Sequence, residues 1–259
     1  PGFTRVTKPS FVFYSFVPNY QRKPFDDVRV RKALWLAADH KAAADILVDG
    51  RGVAGGVLVP GTIYATPQEE IAKWPGYRYP KDQDIAEAKK LLAEAGYPNG
   101  FETWISARSG KAWVDYAVYM TGELAKIGIK AEVRPEEIGA QKLRMFNHDF
   151  PTLVFRESQG TDDPDAFFGG FYTSTAGQNW GAYSNPKVDE LFAKQAQALD
   201  PKERLKLVRE LEQTIIADYP RVIHFWWSIS TYSWPQIKDW KPHSSVQANW
   251  KHRDTWLSR

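Results

Sequence analysis

No cysteine occurs among the 259 residues, which removes disulfides, thiolate metal sites and cysteine nucleophiles at once. The compartment stays open, because exported proteins also fold without disulfides. Charge of one sign is equally scarce. The 34 basic and 31 acidic residues leave a formal net charge of +3, too little to argue for nucleic acid or an anionic membrane surface. No apolar run approaches the roughly 20 residues needed to span a bilayer, and no segment of these residues reads as a signal peptide. The chain opens at Pro1-Gly2-Phe3 without an initiator Met and is expected to be a processed or truncated product.

Catalytic signatures are missing as well. There is no HExxH, no GxSxG and no GxxxxGK[ST], and the glycine-rich stretch Gly50 to Gly61 lacks the lysine a phosphate loop needs. His40, His148, His224, His243 and His252 are scattered without ligand spacing. No catalytic residue, metal or cofactor is expected.

Aromatic residues are what the chain has in plenty: 14% of positions, including 11 Trp. Each offers a large flat surface with one polar handle, suited either to lining a site or to filling a core. Paired carboxylates beside aromatic platforms could in principle process a glycoside, or the platforms could simply bind a carbohydrate, but sequence shows no carboxylate separation.

Along the chain, Phe11-Val-Phe-Tyr-Ser-Phe-Val17 reads as a buried strand closed by Pro18. Asp26 or Asp27 can cap the next helix, with Val30, Leu34, Ala37 and Ala38 on one face. Asp39 restarts a second helix ending before Gly50, and Gly50 to Gly61 reads as loop. Asp84 to Ala95 is amphipathic, and Gly96 should terminate it in a left-handed conformation. A strand from Phe101 to Ala107, a helix from Ala112 to Lys126, a strand from Ile129 to Arg134, a helix near Ile138–Phe146 and a strand at Pro151–Phe155 follow. Asp200-Pro-Lys-Glu203 is a helix start, with Asp200 as cap and Glu203 placed to close a capping box; the helix runs to about Asp218. Arg221 to Trp227 is a final strand, and the chain is irregular from Trp234. Such alternation predicts an α/β layered domain.

Several segments together resemble the family 5 extracellular solute-binding proteins of the dipeptide, oligopeptide and nickel group. They are Asn19…Pro24-Phe-Asp-Asp-Val-Arg-Val-Arg-Lys-Ala-Leu34…Ala38-Asp39, Ala86-Glu-Ala-Lys-Lys-Leu-Leu-Ala-Glu-Ala-Gly-Tyr-Pro98, Leu124-Ala-Lys-Ile-Gly-Ile129, Asp163-Pro-Asp165 and Tyr183-Ser-Asn-Pro-Lys-Val-Asp-Glu-Leu191. Any one is weak; five in order are specific. The resemblance begins midway through the family's length. It implies a periplasmic-binding-protein type II-like lobe, a mixed sheet with flanking helices. Residues 1–18 would cross the hinge, 19–222 would form the second, ligand-binding lobe, and 223–259 would return to pack on the first. The implied function is binding of a peptide-like or other small polar solute outside the cytoplasm, at the periplasm or cell surface, for an ABC permease. It involves no chemistry and no nucleic acid, and the protein is expected to be a monomer.

The resemblance also nominates a site. Arg108 stands, with a one-residue gap, where dipeptide-binding members place an arginine before Gly128; such a planar fork grips a carboxylate bidentately, although a solvated loop arginine would read the same. Arg156 and Glu157 stand where those members carry a Gly-Trp pair. Gly160 falls on the amine-holding acid, for which Asp162 could substitute. These departures suggest a more polar or differently charged solute than a simple peptide. Asp163 and Asp165 read as turn and cap residues. Trp180 could stack on a ligand or pin its loop, and Tyr183 follows it; Trp226 and Trp227 read as hinge packing. The tail interleaves Trp240, Trp250 and Trp256 with Lys238, Lys241, Lys251 and Arg253. That pattern suits either single-stranded nucleic acid or packing on another lobe, the second being preferred.

Overall fold

The computed structural model describes residues 2–245 and 252–258. The elements in chain order are β1 (Thr4–Pro18), α1 (Val28–Ala37), α2 (His40–Val48), β2 (Gly52–Val53), α3 (Gln68–Ile71), α4 (Asp82–Glu94), β3 (Glu102–Arg108) and α5 (Lys111–Ala125). They continue with β4 (Lys130–Glu136), α6 (Ile138–Phe146), β5 (Thr152–Ser158), α7 (Pro164–Phe171), α8 (Pro186–Gln197), α9 (Pro201–Asp218), β6 (Val222–Ser233), β7 (Ile237–Lys238) and β8 (Trp256–Leu257). Six strands form one mixed sheet in the order β2-β6-β1-β5-β3-β4. β1 runs antiparallel to both β5 and β6, while β3 is parallel to β4 and β5.

Helix starts follow local chemistry. Asp27, not Asp26, caps α1 by accepting from the Arg29 N–H at 2.8 Å. Asp39 accepts from Ala42 N–H at 2.9 Å, and Asp200 accepts from the N–H groups of Lys202 and Glu203. Each carboxylate satisfies donors that the first helical turn leaves orphaned, and complements the positive helix end. Gly96 closes α4 at φ +96°, as its position predicts. Gly100 has a harder constraint: a Cβ there would lie 1.9 Å from the Gly128 carbonyl oxygen, so the loops entering β3 and β4 can meet only because position 100 is glycine.

The alternation of side chains along the strands divides the core into two layers. Tyr14 and Phe16 of β1 and Phe225 of β6 face a layer with Val30, Leu34, Ala88, Tyr116 and Met120, from α1, α4 and α5. Phe11, Phe13 and Trp226 point the other way, into Phe167, Phe168, Phe171, Leu191 and Leu211 of α7, α8 and α9. A strand covered on both faces needs no polar alternation, which is why Phe11 to Val17 reads as a near-continuous apolar run. Each such side chain contributes roughly 1.5–3 kcal/mol on burial.

Several segments depart from the sequence reading, among them β5, which runs on through Arg156 and Glu157 to Ser158 where a loop is expected. Within the Gly50–Gly61 loop, Gly52–Val53 pairs with Trp227 and Trp226 as an edge strand. The final strand is longer than expected: β1 and β6 stay paired out to Thr4 and Ser233, beyond the reach of β5, which stops at Val12. In the tail, Ile237–Lys238 pairs with Trp256–Leu257, whereas Trp250 and Lys251 lie outside the described residues.

Candidate functional site

The parallel trio β3, β4 and β5 ends on one edge of the sheet, and the side chains leaving that edge set the site. Ligands of open α/β sheets bind outside such carboxyl ends. Arg108 is the last residue of β3. The chain then turns through Ser109, whose N–H donates to the Glu136 carbonyl at 2.7 Å, and through Gly110 at φ +129° into α5. That turn puts Trp113 of the first helical turn beneath Arg108, with the guanidinium carbon 4.7 Å from the indole ring. Arg156 leaves the neighbouring β5 on the same face as Val154 and covers the same indole at 5.4 Å. The structure thus brings Arg108 and Arg156 together around Trp113. Among the described residues neither arginine has a carboxylate partner within ion-pair distance.

Three of the nearby acids are already engaged. Glu136 accepts from Arg144 and from the Ser106 hydroxyl, both at 2.6 Å. Asp115 is paired with Lys111 at 2.6 Å. Glu157, next to Arg156, points through to the opposite face, fully buried against Arg221, and also accepts from the Ser15 hydroxyl at 2.9 Å. Burial pushes the Glu157 carboxyl above the ordinary carboxylate range, while Arg221, Ser15 and Trp180 pull it down. Arg221 itself lies over the rings of Phe171 and Tyr172 at 5.0 and 5.1 Å. Glu157 is therefore held inside the lobe.

The other sequence candidates lie elsewhere. Asp162 is exposed in the loop between β5 and α7. Asp163 caps α7 and pairs with Arg204 at 2.7 Å, which Asp165 also meets at 3.2 Å. Trp180 sits edge-on to Phe146 at 5.4 Å and Phe155 at 6.5 Å, and its carbonyl accepts from His148 Nδ1 at 2.8 Å. Tyr183 is buried and donates its hydroxyl to Asp218 at 2.6 Å. Both border an open cavity of about 340 Å³ with Gln21, Phe146, His148 and Asn179. His148 precedes β5, so this cavity is at the end of the strand away from Arg156. Trp226 is fully buried and donates to the Gly56 carbonyl at 3.1 Å, and Trp227 packs against the other layer.

Sequence reading did not single out Trp113. The available signal was its place in the first turn of a helix five residues after Arg108. It also placed the histidines apart, whereas His40 and His224 meet in the core with ring centroids 6.0 Å apart. His40 Nδ1 donates to the His224 carbonyl at 3.0 Å, and Tyr116 pairs with His224 Nδ1 at 2.7 Å. Among the described residues no group of three or more His, Asp or Glu could hold a metal, and no helix is long and apolar enough to cross a membrane.

Comparison with known proteins identifies the family. The family model of the bacterial extracellular solute-binding proteins, family 5, middle region, matches residues 1–179. Heme-binding protein A of Haemophilus influenzae is 31% identical over 201 residues, covering 75% of this chain and 35% of its own length. Glutathione-binding protein GsiB of Salmonella paratyphi A is 29% identical over 235 residues, covering 83% of this chain and 42% of its own. The chain thus spans well under half the length of these curated relatives. Among solved structures, HbpA2 of Haemophilus parasuis superposes with a TM-score of 0.81 at 25% identity, over 92% of this chain and 47% of that one. A mixed sheet of type II periplasmic-binding-protein form, with this sequence match across most of its length, means that the chain belongs to the family 5 bacterial extracellular solute-binding proteins.

Proposed function

We propose that this chain forms one wall of a two-lobed clamp that captures a small polar or peptide-like solute outside the cytoplasm, at the periplasm or cell surface, and presents it unaltered to an ABC permease. The observation that carries the reading is the pair of unneutralised guanidiniums at the carboxyl edge of β3 and β5, a rigid edge with polar groups aimed outward. Arg108 and Arg156 are the ligand-facing residues, with Asp162 at the rim. Glu157, Trp180 and Tyr183 support the wall from within.

Residues 11–227 form the ligand-binding lobe, because β1 and β6 are central strands of its sheet and the boundaries expected at 18 and 222 fall inside its core; the ribbon that pairs residues 4–9 with 228–233 carries the chain toward the other lobe. The paired ribbon of β1 and β6 beyond β5 supports this division, ending in the mutually packed and largely exposed rings of Phe3 and Trp234, 4.6 Å apart. Exposed aromatics on a projecting ribbon are what a second lobe would cover. Relatives named for heme and for glutathione support capture of a small solute. Closure of the lobes around solute shifts the population toward the form the permease accepts, and the protein works as a monomer.

Titrating the full-length protein with glutathione and with heme, with X-ray scattering before and after and mass spectrometry of the recovered solute, tests the reading. The expected result is saturable binding of a solute that is returned intact, with a smaller radius of gyration in the bound form. Chemical turnover of the solute, or tight binding without any compaction, would break it.

A further inference from the structure

We infer that the solute carries two acidic groups, and that Arg108 and Arg156, arrayed on Trp113, receive one each. The inference rests on the clamp reading above and specifies the chemistry of its cargo. The two guanidinium carbons lie 4.7 and 5.4 Å from the same indole, which bounds their separation at about 10 Å. Stacking on one rigid aromatic group fixes both forks in place and leaves their N–H groups free to donate.

The acids that have partners around them are committed elsewhere, and Glu137 and Asp162, exposed at the same edge, lie beyond ion-pair distance of both guanidiniums. Glu136 belongs to Arg144 and Ser106, Asp115 to Lys111, and Glu157 lies on the far face of β5 with Arg221. In the open lobe this costs little, because water solvates both cations and salt screens them over a distance close to 8 Å. Closure changes the balance. Once a second lobe excludes water, an unpaired guanidinium loses its solvation, and two of them also repel each other more strongly. A doubly acidic solute removes both penalties and makes bidentate, charge-assisted bonds to each fork. A zwitterion with one carboxylate leaves one guanidinium buried and unpaired, and its ammonium adds a third positive charge. Discrimination is therefore set by the cost of the unpaired group as much as by the bond gained.

The test uses the full-length protein and its Arg156→Gln variant, whose exposed position leaves folding intact by circular dichroism. Mass spectrometry of small molecules released on unfolding should find a solute with two acidic groups; one with a single acidic group or none overturns the inference. Calorimetric titration of the refolded, solute-free protein then compares Ala-Ala-Glu with Ala-Ala-Gln, which differ by one carboxylate. Ala-Ala-Glu should bind roughly tenfold or more tightly, as expected for one charge-assisted hydrogen-bonded pair, and that margin should vanish in Arg156→Gln. Equal affinities, or a margin that survives the substitution, overturns the inference while the clamp reading stands. A protein that releases no small molecule and binds neither peptide defeats the clamp reading, and this inference with it.

Discussion

Arg156 and Glu157 follow one another in β5, and the fold treats their charges in opposite ways. Arg156 emerges on the α5 face, exposed, stacked on Trp113 and without a carboxylate. Glu157 emerges on the α7 face, fully buried, bonded to Arg221 and Ser15. One residue of offset in a strand turns a side chain to the other face, and here it separates an exposed, unpaired charge from a buried, paired one. Unpaired and exposed charges at a sheet edge are available for recognition. Paired and desolvated ones lock the elements that carry them, here β5, β1 and the entry to β6.

The sharpest way to break this comparison is to unpair the buried side. Replacing Arg221 with Met strands a fully buried carboxylate and should cost about 3–5 kcal/mol in urea unfolding of the full-length protein, whereas Glu157→Leu combined with Arg221→Met should recover most of that loss. A single substitution costing under about 1 kcal/mol would mean that water reaches the pair.

Acidification has the next largest effect, through a second buried polar group. Burial lowers His40 from 6.5 to about 4 and holds His224 well below its ordinary value. Tyr77 stacks on His40 at 4.1 Å, Trp35 and Tyr116 close the cluster, and Lys81 and Asp39 are the charged neighbours. Between about pH 6.5 and 4 the unfolded chain protonates His40 while the folded one does not, so stability falls as pH falls through that window. The slope is on the order of 1 kcal/mol per pH unit for each histidine. Glu157 and Glu212, both raised by burial, act in the opposite sense, since their folded forms take up protons first. Unfolding midpoints at pH 7.5, 6 and 5 should therefore drop less in His40→Gln than in the native sequence. Parallel pH profiles would show that His40 is protonated in the folded state.

The smallest expected change sharpens the exposed side. Arg156→Gln should leave unfolding stability within about 0.5 kcal/mol of the native value, because it removes neither a buried group nor an ion pair. A loss above about 1 kcal/mol would move Arg156 from recognition to structure.

Much of this architecture could be read locally. The caps at Asp27, Asp39 and Asp200, the left-handed Gly96 and the unbroken apolar run of β1 follow from interactions within a few residues. So does the position of Arg108 at a strand end. Other features could not be read that way. Glu157 looks like a loop acid beside Arg156 until Arg221, in the turn before β6, arrives to neutralise it. Gly52–Val53 resembles the rest of a glycine-rich loop, and becomes a strand only because β6 offers a free edge. Tyr183 looks available for a ligand until Asp218 takes its hydroxyl.

By itself, then, the order of residues determined the longer helices and the caps that start them, the core of each long strand, and that apolar surface must be covered on both faces of the central strands. Periodicity and capping are short-range and need no knowledge of neighbours. Which charges remain open was decided only in three dimensions. Pairing and desolvation depend on side chains brought from distant elements, and they separate Arg156, held ready over Trp113, from Glu157, closed against Arg221.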